Sequence, residues 1–162
     1  MNTLRACGPD DVSTILAIVN AAAEAYRGVI PPDCFHDPYM PEDELRREIA
    51  AGVEFRGCES GGELIGVMGL QAVNDMALIR HAYVRPEAQG SGAGGALLAG
   101  LMRRTTRPVL VGTWADASWA IRFYERNGFV RIPDARAPGL FGRYWSISPR
   151  QVAVSVVLER KV

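Results

Sequence analysis

The sequence predicts an α/β fold of mixed α and β layers. A central twisted sheet, mostly antiparallel with parallel strands in its middle, is flanked by helices on both faces. Three observations predict it. Residues 53–59 and 63–70 are strand-like runs joined by Ser60-Gly61-Gly62, a hairpin signal that implies antiparallel pairing. Residues 76–114 read strand, helix, strand, and such a crossover returns the second strand parallel to the first. Apolar stripes at helical spacing alternate with the strands throughout. At 162 residues, with no repeats or low-complexity linker, the chain reads as one domain over 1–162 with room for a sizeable core.

Residues 3–7 form a first strand, ended by Gly8-Pro9-Asp10-Asp11, whose acids also suit a helix N-cap. Val12, Ile15, Leu16, Val19, Ala22, Ala23 and Tyr26 then share one helical stripe, closed by Arg27-Gly28. Residues 28–40, with Pro31, Pro32 and Pro38, are a loop in which Phe35, His36 and Tyr39 can join Tyr26 in lining a pocket. Pro41 opens a second helix with acids in its first turn and Arg46 and Arg47 later, the order the helix dipole favours. Leu45 and Ile49 are its apolar contacts, and Gly52 suits the residue after its end.

After the hairpin, residues 76–84 are a central strand that feeds a glycine-rich loop. Residues 94–104 are a helix with Leu97, Leu98, Leu101 and Met102 on one face, and 108–114 a buried strand. Asp116 or Ser118 caps the next helix, which carries Trp119, Ala120, Phe123 and Tyr124 and stops at Asn127-Gly128. A short strand at 129–132 follows. The stretch 133–150, rich in Pro, Gly and Arg, reads as a long connecting segment. Residues 151–158 form a final valine-rich strand, read as an exposed edge and hence as the basis of a homodimer.

Bulk properties exclude some functions. Lys+Arg and Asp+Glu balance at 18 each, so no global basic field recruits nucleic acid or a membrane surface. Cys7, Cys34 and Cys58 are odd in number and far apart, which gives neither metal spacing nor a disulfide framework. Free thiols, no signal-like N-terminus and no apolar run near ~18 residues predict a cytoplasmic protein without a bound metal.

The informative stretch is Gln89-Gly90-Ser91-Gly92-Ala93-Gly94-Gly95, between a strand and a helix. Glycine admits positive φ and close backbone approach, and the first N–H groups of a helix are unpaired and partly positive. Together they suit a phosphate or pyrophosphate. The loop lacks the Gly-Lys-Ser/Thr of a nucleotide-hydrolysing loop and does not fit the G-x-G-x-x-G dinucleotide fingerprint.

Val84-Arg85-Pro86 followed by Gln89-Gly90-Ser91-Gly92-Ala93-Gly94 resembles the Val-x-Pro and Gln/Arg-x-x-Gly-x-Gly/Ala signature of the GCN5-related N-acetyltransferase (GNAT) superfamily. A second stretch, Ala120 to Phe123-Tyr124 to Gly128-Phe129, resembles that superfamily's Asn-x-x-Ala-x-x-Phe-Tyr-x-x-x-Gly-Phe helix. The resemblance is close over about residues 63–132.

It implies the GNAT fold and acetyl-CoA as acyl donor. The pyrophosphate would lie on the backbone of Gln89, Gly90, Ser91, Gly92, Ala93, Gly94 and Gly95. The pantetheine arm and thioester would pair with Ala82, Tyr83 and Val84. It further implies Phe123 beside the cofactor and Tyr124 as the acid that protonates the leaving thiolate. Two departures matter. The family Asn is here Ala117, for which Ser118 or Asp116 can substitute. A Glu base found on the preceding strand of some members corresponds to Gly112.

A base is still needed, since an ammonium has no lone pair. His81 has the suitable intrinsic range, and Glu24, Tyr26 and His36 are the other candidates. Tyr26, His36 and Trp114 are the expected acceptor contacts, with Trp119, Tyr144 and Trp145 as further aromatic walls. The reading is an N-acetyltransferase that moves acetyl to a primary amine of a small molecule (an amino acid, an amino-acid-like toxin or a polyamine) by direct attack in a ternary complex. The alternatives are a non-catalytic acyl-CoA sensor and acetylation of a protein amine.

Overall fold

A computed structural model describes residues 1–161. Seven strands form one sheet in the order β1-β2-β3-β4-β5-β7-β6. They are β1 (Asn2–Ala6), β2 (Glu54–Ser60), β3 (Glu63–Val73), β4 (Met76–Val84), β5 (Val109–Trp114), β6 (Val130–Arg131) and β7 (Ser155–Arg160). Every neighbouring pair is antiparallel except β4 and β5. That parallel pair is the one the strand–helix–strand pattern required, its crossover helix being α3 (Ala93–Met102).

Alternation along the strands sorts the helices onto two faces. On β3, Met68 joins the core beneath α3 and α4 (Ser118–Arg126), while Val67 joins the core beneath α1 (Val12–Ala23) and α2 (Glu42–Ala50). On β4, Ala77 and Ile79 face α3, and Leu78 faces α5 (Ala137–Tyr144). Leu97, Leu98 and Leu101 are each 1% exposed, so the stripe read from the sequence is the one α3 buries. Fully burying one such side chain contributes roughly 1.5–3 kcal/mol.

Two expectations are corrected. The segment 133–150 is not simply a connection: it holds α5, and α6 (Pro149–Ala153) begins within it. Pro138 and Pro149 lie in the first turns of these helices, where the missing N–H breaks no helical bond. The Ser148 hydroxyl accepts the Gln151 N–H at 3.1 Å and caps α6. Residues 151–153 therefore belong to a helix, and the last strand runs from Ser155 to Arg160. Nor is that strand an edge. It pairs with β5 on one side and β6 on the other, so the edge-strand argument for a homodimer falls away.

The middle of the sheet opens towards one end. β4 and β5 pair only through Ala77–Val109, Leu78–Leu110 and Ile79–Val111. Beyond these positions β4 continues to Val84 and β5 to Trp114, without further pairing between them. The same end of β4 carries a bulge. Its register on β3 steps from Gly69–Arg80 to Val67–Tyr83, so His81 and Ala82 share the place opposite Met68. His81 sits at φ +53°, a backbone region that histidine visits more readily than most residues.

Candidate active site at the split between the central strands

Two cavities flank the parted ends of β4 and β5. The first, about 560 Å³, lies on the α3 and α4 side. Its lining includes Ala82, Tyr83, Val84, Gln89, Gly90, Gly92, Ala93, Gly94 and Gly95, together with Trp119, Phe123 and Tyr124. Gly90 and Gly92 have φ of +82° and +88°, the second at the N-cap of α3. A Cβ at Gly90, Gly92 or Gly95 would meet nothing within 4 Å. At Gly94 it would touch the Phe123 ring at 3.4 Å. The missing side chains thus leave open space over the first N–H groups of a helix, which fits a pyrophosphate.

Phe123 and Tyr124 reach this groove because α4 starts just after β5 and stops sharply. The Phe129 N–H donates to the Tyr124 carbonyl at 3.1 Å, and Gly128 takes φ +88°. Tyr124 packs edge-on against Phe123 and Phe129 and is 5% exposed. Burial, then the nearby Tyr26, pushes its phenol well above the usual range, so it stays protonated at neutral pH. Ala117, where the family carries Asn, is fully buried beside Tyr26 and Trp114, and no side chain caps α4. Ser118 is exposed, and neither it nor Ser91 lines the groove.

The second cavity, about 720 Å³, lies on the α2 and α5 side. Here Tyr26, Tyr39, Tyr83 and Trp114 form an aromatic wall, with Tyr26 centroids 5.4 Å from Tyr39 and 6.3 Å from Tyr83. The Trp114 Nε1–H donates to the Tyr39 hydroxyl at 2.8 Å, so the buried indole is satisfied. Burial and the neighbouring phenols Tyr26 and Tyr39 raise Tyr83 well above its ordinary value. His36 lies at the exposed rim, and Tyr144 and Trp145 complete the far wall.

His81 faces this second cavity. The bulge sends it to the same side as its neighbour Arg80, where ordinary alternation would separate them. Its Nε2 lies 2.7 Å from Glu48 Oε1 on α2, and its ring stacks on Phe55. Burial works to raise the Glu48 carboxyl, but hydrogen bonding to His81 and the His81 charge outweigh it and hold Glu48 low. An ionised carboxylate only accepts, so Nε2 is the donor, and in the neutral imidazole the lone pair is then on Nδ1. Glu24, by contrast, is an exposed partner of Arg27 and lines neither cavity. At Gly112 a Cβ would come within 3.0 Å of the Phe141 ring and 3.3 Å of Trp145. Aromatic rings from α5 and the loop after it fill the space a side chain there would need.

The cavities are not separate sites. Tyr26 and Tyr83 line both, so the groove and the polar cavity meet across them at the split in the sheet. The family model described as an acetyltransferase (GNAT) domain matches residues 15–137, most of the chain.

The chain belongs to the GNAT acetyltransferase family.

Solved structures agree at the level of fold. The PaiA N-acetyltransferase of Thermoplasma acidophilum, solved in complex with coenzyme A, superposes with a TM-score of 0.75 at 18% identity, over 100% of this chain and 99% of that one. A GNAT-family acetyltransferase of Staphylococcus aureus Mu50 gives 0.74 at 14% identity, over 99% and 98%. The ribosomal-protein-S18-alanine N-acetyltransferase of Escherichia coli gives 0.70 at 18% identity, over 99% and 93%. A search of curated protein sequences finds no match. Among the described residues no helix is long and apolar enough to cross a membrane, and no cluster of His, Cys, Asp or Glu could hold a metal ion.

His81 stands out in the sequence, but its partner Glu48, 33 residues earlier, and Arg80 and Glu44 in the same cavity do not. Glu44 and Glu48 are four apart on α2, a spacing that puts two acids on one helix face. The same spacing is equally that of two solvated acids on an exposed helix face.

Proposed function

We propose that this GNAT protein transfers acetyl from acetyl-CoA to the primary amine of a small molecule by direct attack in a ternary complex. The observation that carries this reading is the meeting of two unlike cavities at Tyr26 and Tyr83. One is a glycine-lined groove that fits a pyrophosphate, the other a polar, aromatic cavity suited to a small acceptor. Three free cysteines fit a cytoplasmic setting.

Bound acetyl-CoA supplies the activated thioester. Gly90 to Gly95 hold its pyrophosphate by backbone N–H groups, and the edge of Ala82 to Val84 that β5 leaves unpaired receives the pantetheine arm. The backbone there can donate to the carbonyl oxygen as charge develops on it. His81 Nδ1 takes a proton from the acceptor ammonium, while Glu48 holds the ring by Nε2 and steadies the positive charge. The amine nitrogen then bonds to the acetyl carbon as the carbon–sulfur bond breaks. Tyr124 gives its proton to the departing sulfur and regains one as the amide sheds its extra proton.

The test is thiol release from acetyl-CoA with a panel of amines, comparing wild type and Tyr124→Phe. The expected result is acceptor-dependent release in the wild type and a kcat lower by about 100-fold in the variant, with little change in KM. Tight CoA binding without release for any amine would point instead to a sensor.

A further inference from the structure

The acceptor cavity is electrically divided, and the division names a class of acceptor. On α2, Glu44 and Glu48 form one wall; Glu48 is engaged by His81, while Glu44 has no hydrogen-bonded partner among the described residues. Burial, then repulsion from Glu48, raises the Glu44 carboxyl. A half-buried acid held beside another acid is a place where a cation is missing.

On β4 the case is reversed. Arg80 is half-buried at the bulge of β4. Its Nε donates to Gln71 Oε1 at 3.1 Å and its Nη2 to the Tyr144 carbonyl at 3.2 Å. Its guanidinium lies 5.4 Å over the Trp145 ring. All these partners are neutral, and no carboxylate bonds to Arg80 among the described residues. Burial disfavours the cation, and the nearest compensation is the field of Glu48. By comparison Arg47, which also lines the cavity, is an exposed rim residue paired with Asp43. The Arg80 fork is fixed in orientation by Gln71, Tyr144 and Trp145 and still lacks an anion, although Arg is the side chain best shaped to take one in two-point fashion.

His81 and Arg80 are consecutive on β4, and past the bulge both line this one cavity. We infer that the acceptor is an amino acid or a close analogue. Arg80 binds its carboxylate, or an equivalent phosphonate or phosphinate. The acidic face of α2 draws in its ammonium, which is thereby presented to His81. Trp145, against which Arg80 lies, and Phe141 and Ile147 in the same lining give an apolar bed for the acceptor's side chain. Polyamines and simple alkylamines lack the anion and leave the half-buried Arg80 with neutral partners only, which is where discrimination arises.

This inference rests on the proposed acetyl transfer, and two readouts keep the two apart. The probes are L-phenylalanine and 2-phenylethylamine, which differ only in the carboxylate, with L-phenylalaninamide as a neutral control. In turnover, wild type is expected to favour phenylalanine over phenylethylamine in kcat/KM by on the order of 10- to 100-fold, the effect of one charge-assisted pairing. Arg80→Gln should collapse that ratio towards one, and Arg80→Lys should restore part of it. Far-ultraviolet circular dichroism and melting of both variants check that they fold.

In binding, the same three probes are titrated into the CoA-loaded protein and followed by Tm, which requires no turnover. Phenylalanine should raise Tm, and the amine and amide should not. If amines and amino acids turn over equally, or if Arg80→Gln lowers both equally, the inference is overturned while acetyl transfer stands. If nothing turns over, acetyl transfer fails, and the Tm series alone decides whether Arg80 recognises a carboxylate. Equal Tm shifts for all three probes overturn the inference in every case.

Discussion

Gly95 separates two things that usually move together, stability and ligand binding. It lies in the first turn of α3 and lines the groove, and a Cβ there would meet nothing within 4 Å. Gly95→Ala therefore costs no packing. It removes the entropic penalty of a helical glycine, about 0.5 kcal/mol so near a helix end, and should raise Tm by about 1–2 °C in a chain this size. The same methyl projects into open space beside the cradle and keeps a phosphate off the helix N–H groups. Losing one charge-assisted hydrogen bond weakens CoA binding by about 10- to 100-fold. Gly92→Ala gives the opposite stability sign. At φ +88° its Cβ is strained by about 1–2 kcal/mol, partly offset by the stiffer unfolded chain, so stability falls by about 1 kcal/mol. Gly61→Ala, at φ +60° in the β2–β3 turn and outside both cavities, is the control that loses stability alone. The assay is calorimetric titration of CoA with parallel melting of the free proteins. Gly95→Ala binding CoA as tightly as wild type, or affinity tracking Tm across the three variants, would refute the cradle.

The remaining predictions concern the acceptor side and the first strand. Glu48→Gln should lower kcat/KM for the acceptor by about 10- to 100-fold without changing KM for acetyl-CoA, and His81→Ala should lower it further. The double variant should be no worse than His81→Ala, because Glu48 acts through the imidazole; additive losses in a double-mutant cycle would contradict that. Asp11 accepts from Arg5 at 2.9 Å and from the Gly8 N–H at 2.8 Å, and the Arg5 bond above all holds its carboxyl down to about 2. A carboxyl lowered on folding stabilises fully above its unfolded value near 3.8, and the contribution is lost as pH falls through about 2. With Arg5 partly solvated, Asp11→Asn should cost about 1 kcal/mol at pH 7. Urea melts of the two proteins should converge only below about pH 2, and a difference that persisted there would exclude the ionic origin.

The proposed donor half stands out in the sequence because it is local. β4, the glycine loop and α3 are continuous in the chain, and the stop of α4 is written in Asn127-Gly128-Phe129. The proposed acceptor half is legible only in part: Tyr26, His36, His81, Trp114 and Trp145 stand out by residue type, but Glu44 and Glu48 from α2, Arg80 from β4 and Phe141 from α5 are brought to the same cavity only by the fold. Two physical reasons hid it. Prolines at 138 and 149 read as breakers, although in a first helical turn they break nothing. The bulge at His81 and Ala82 overrides strict alternation and turns two consecutive side chains, Arg80 and His81, to one face. The place of the last strand was equally hidden, since chain order does not say that β7 inserts between β5 and β6.

The central proposal is direct transfer between two cavities that meet at Tyr26 and Tyr83. Initial rates over a matrix of acetyl-CoA and L-phenylalanine concentrations test it most directly. Intersecting reciprocal plots, with no CoA released before acceptor is added, are the predicted result. Parallel plots, or a stoichiometric burst of CoA from acetyl-CoA alone, would mean an acyl-enzyme and contradict it.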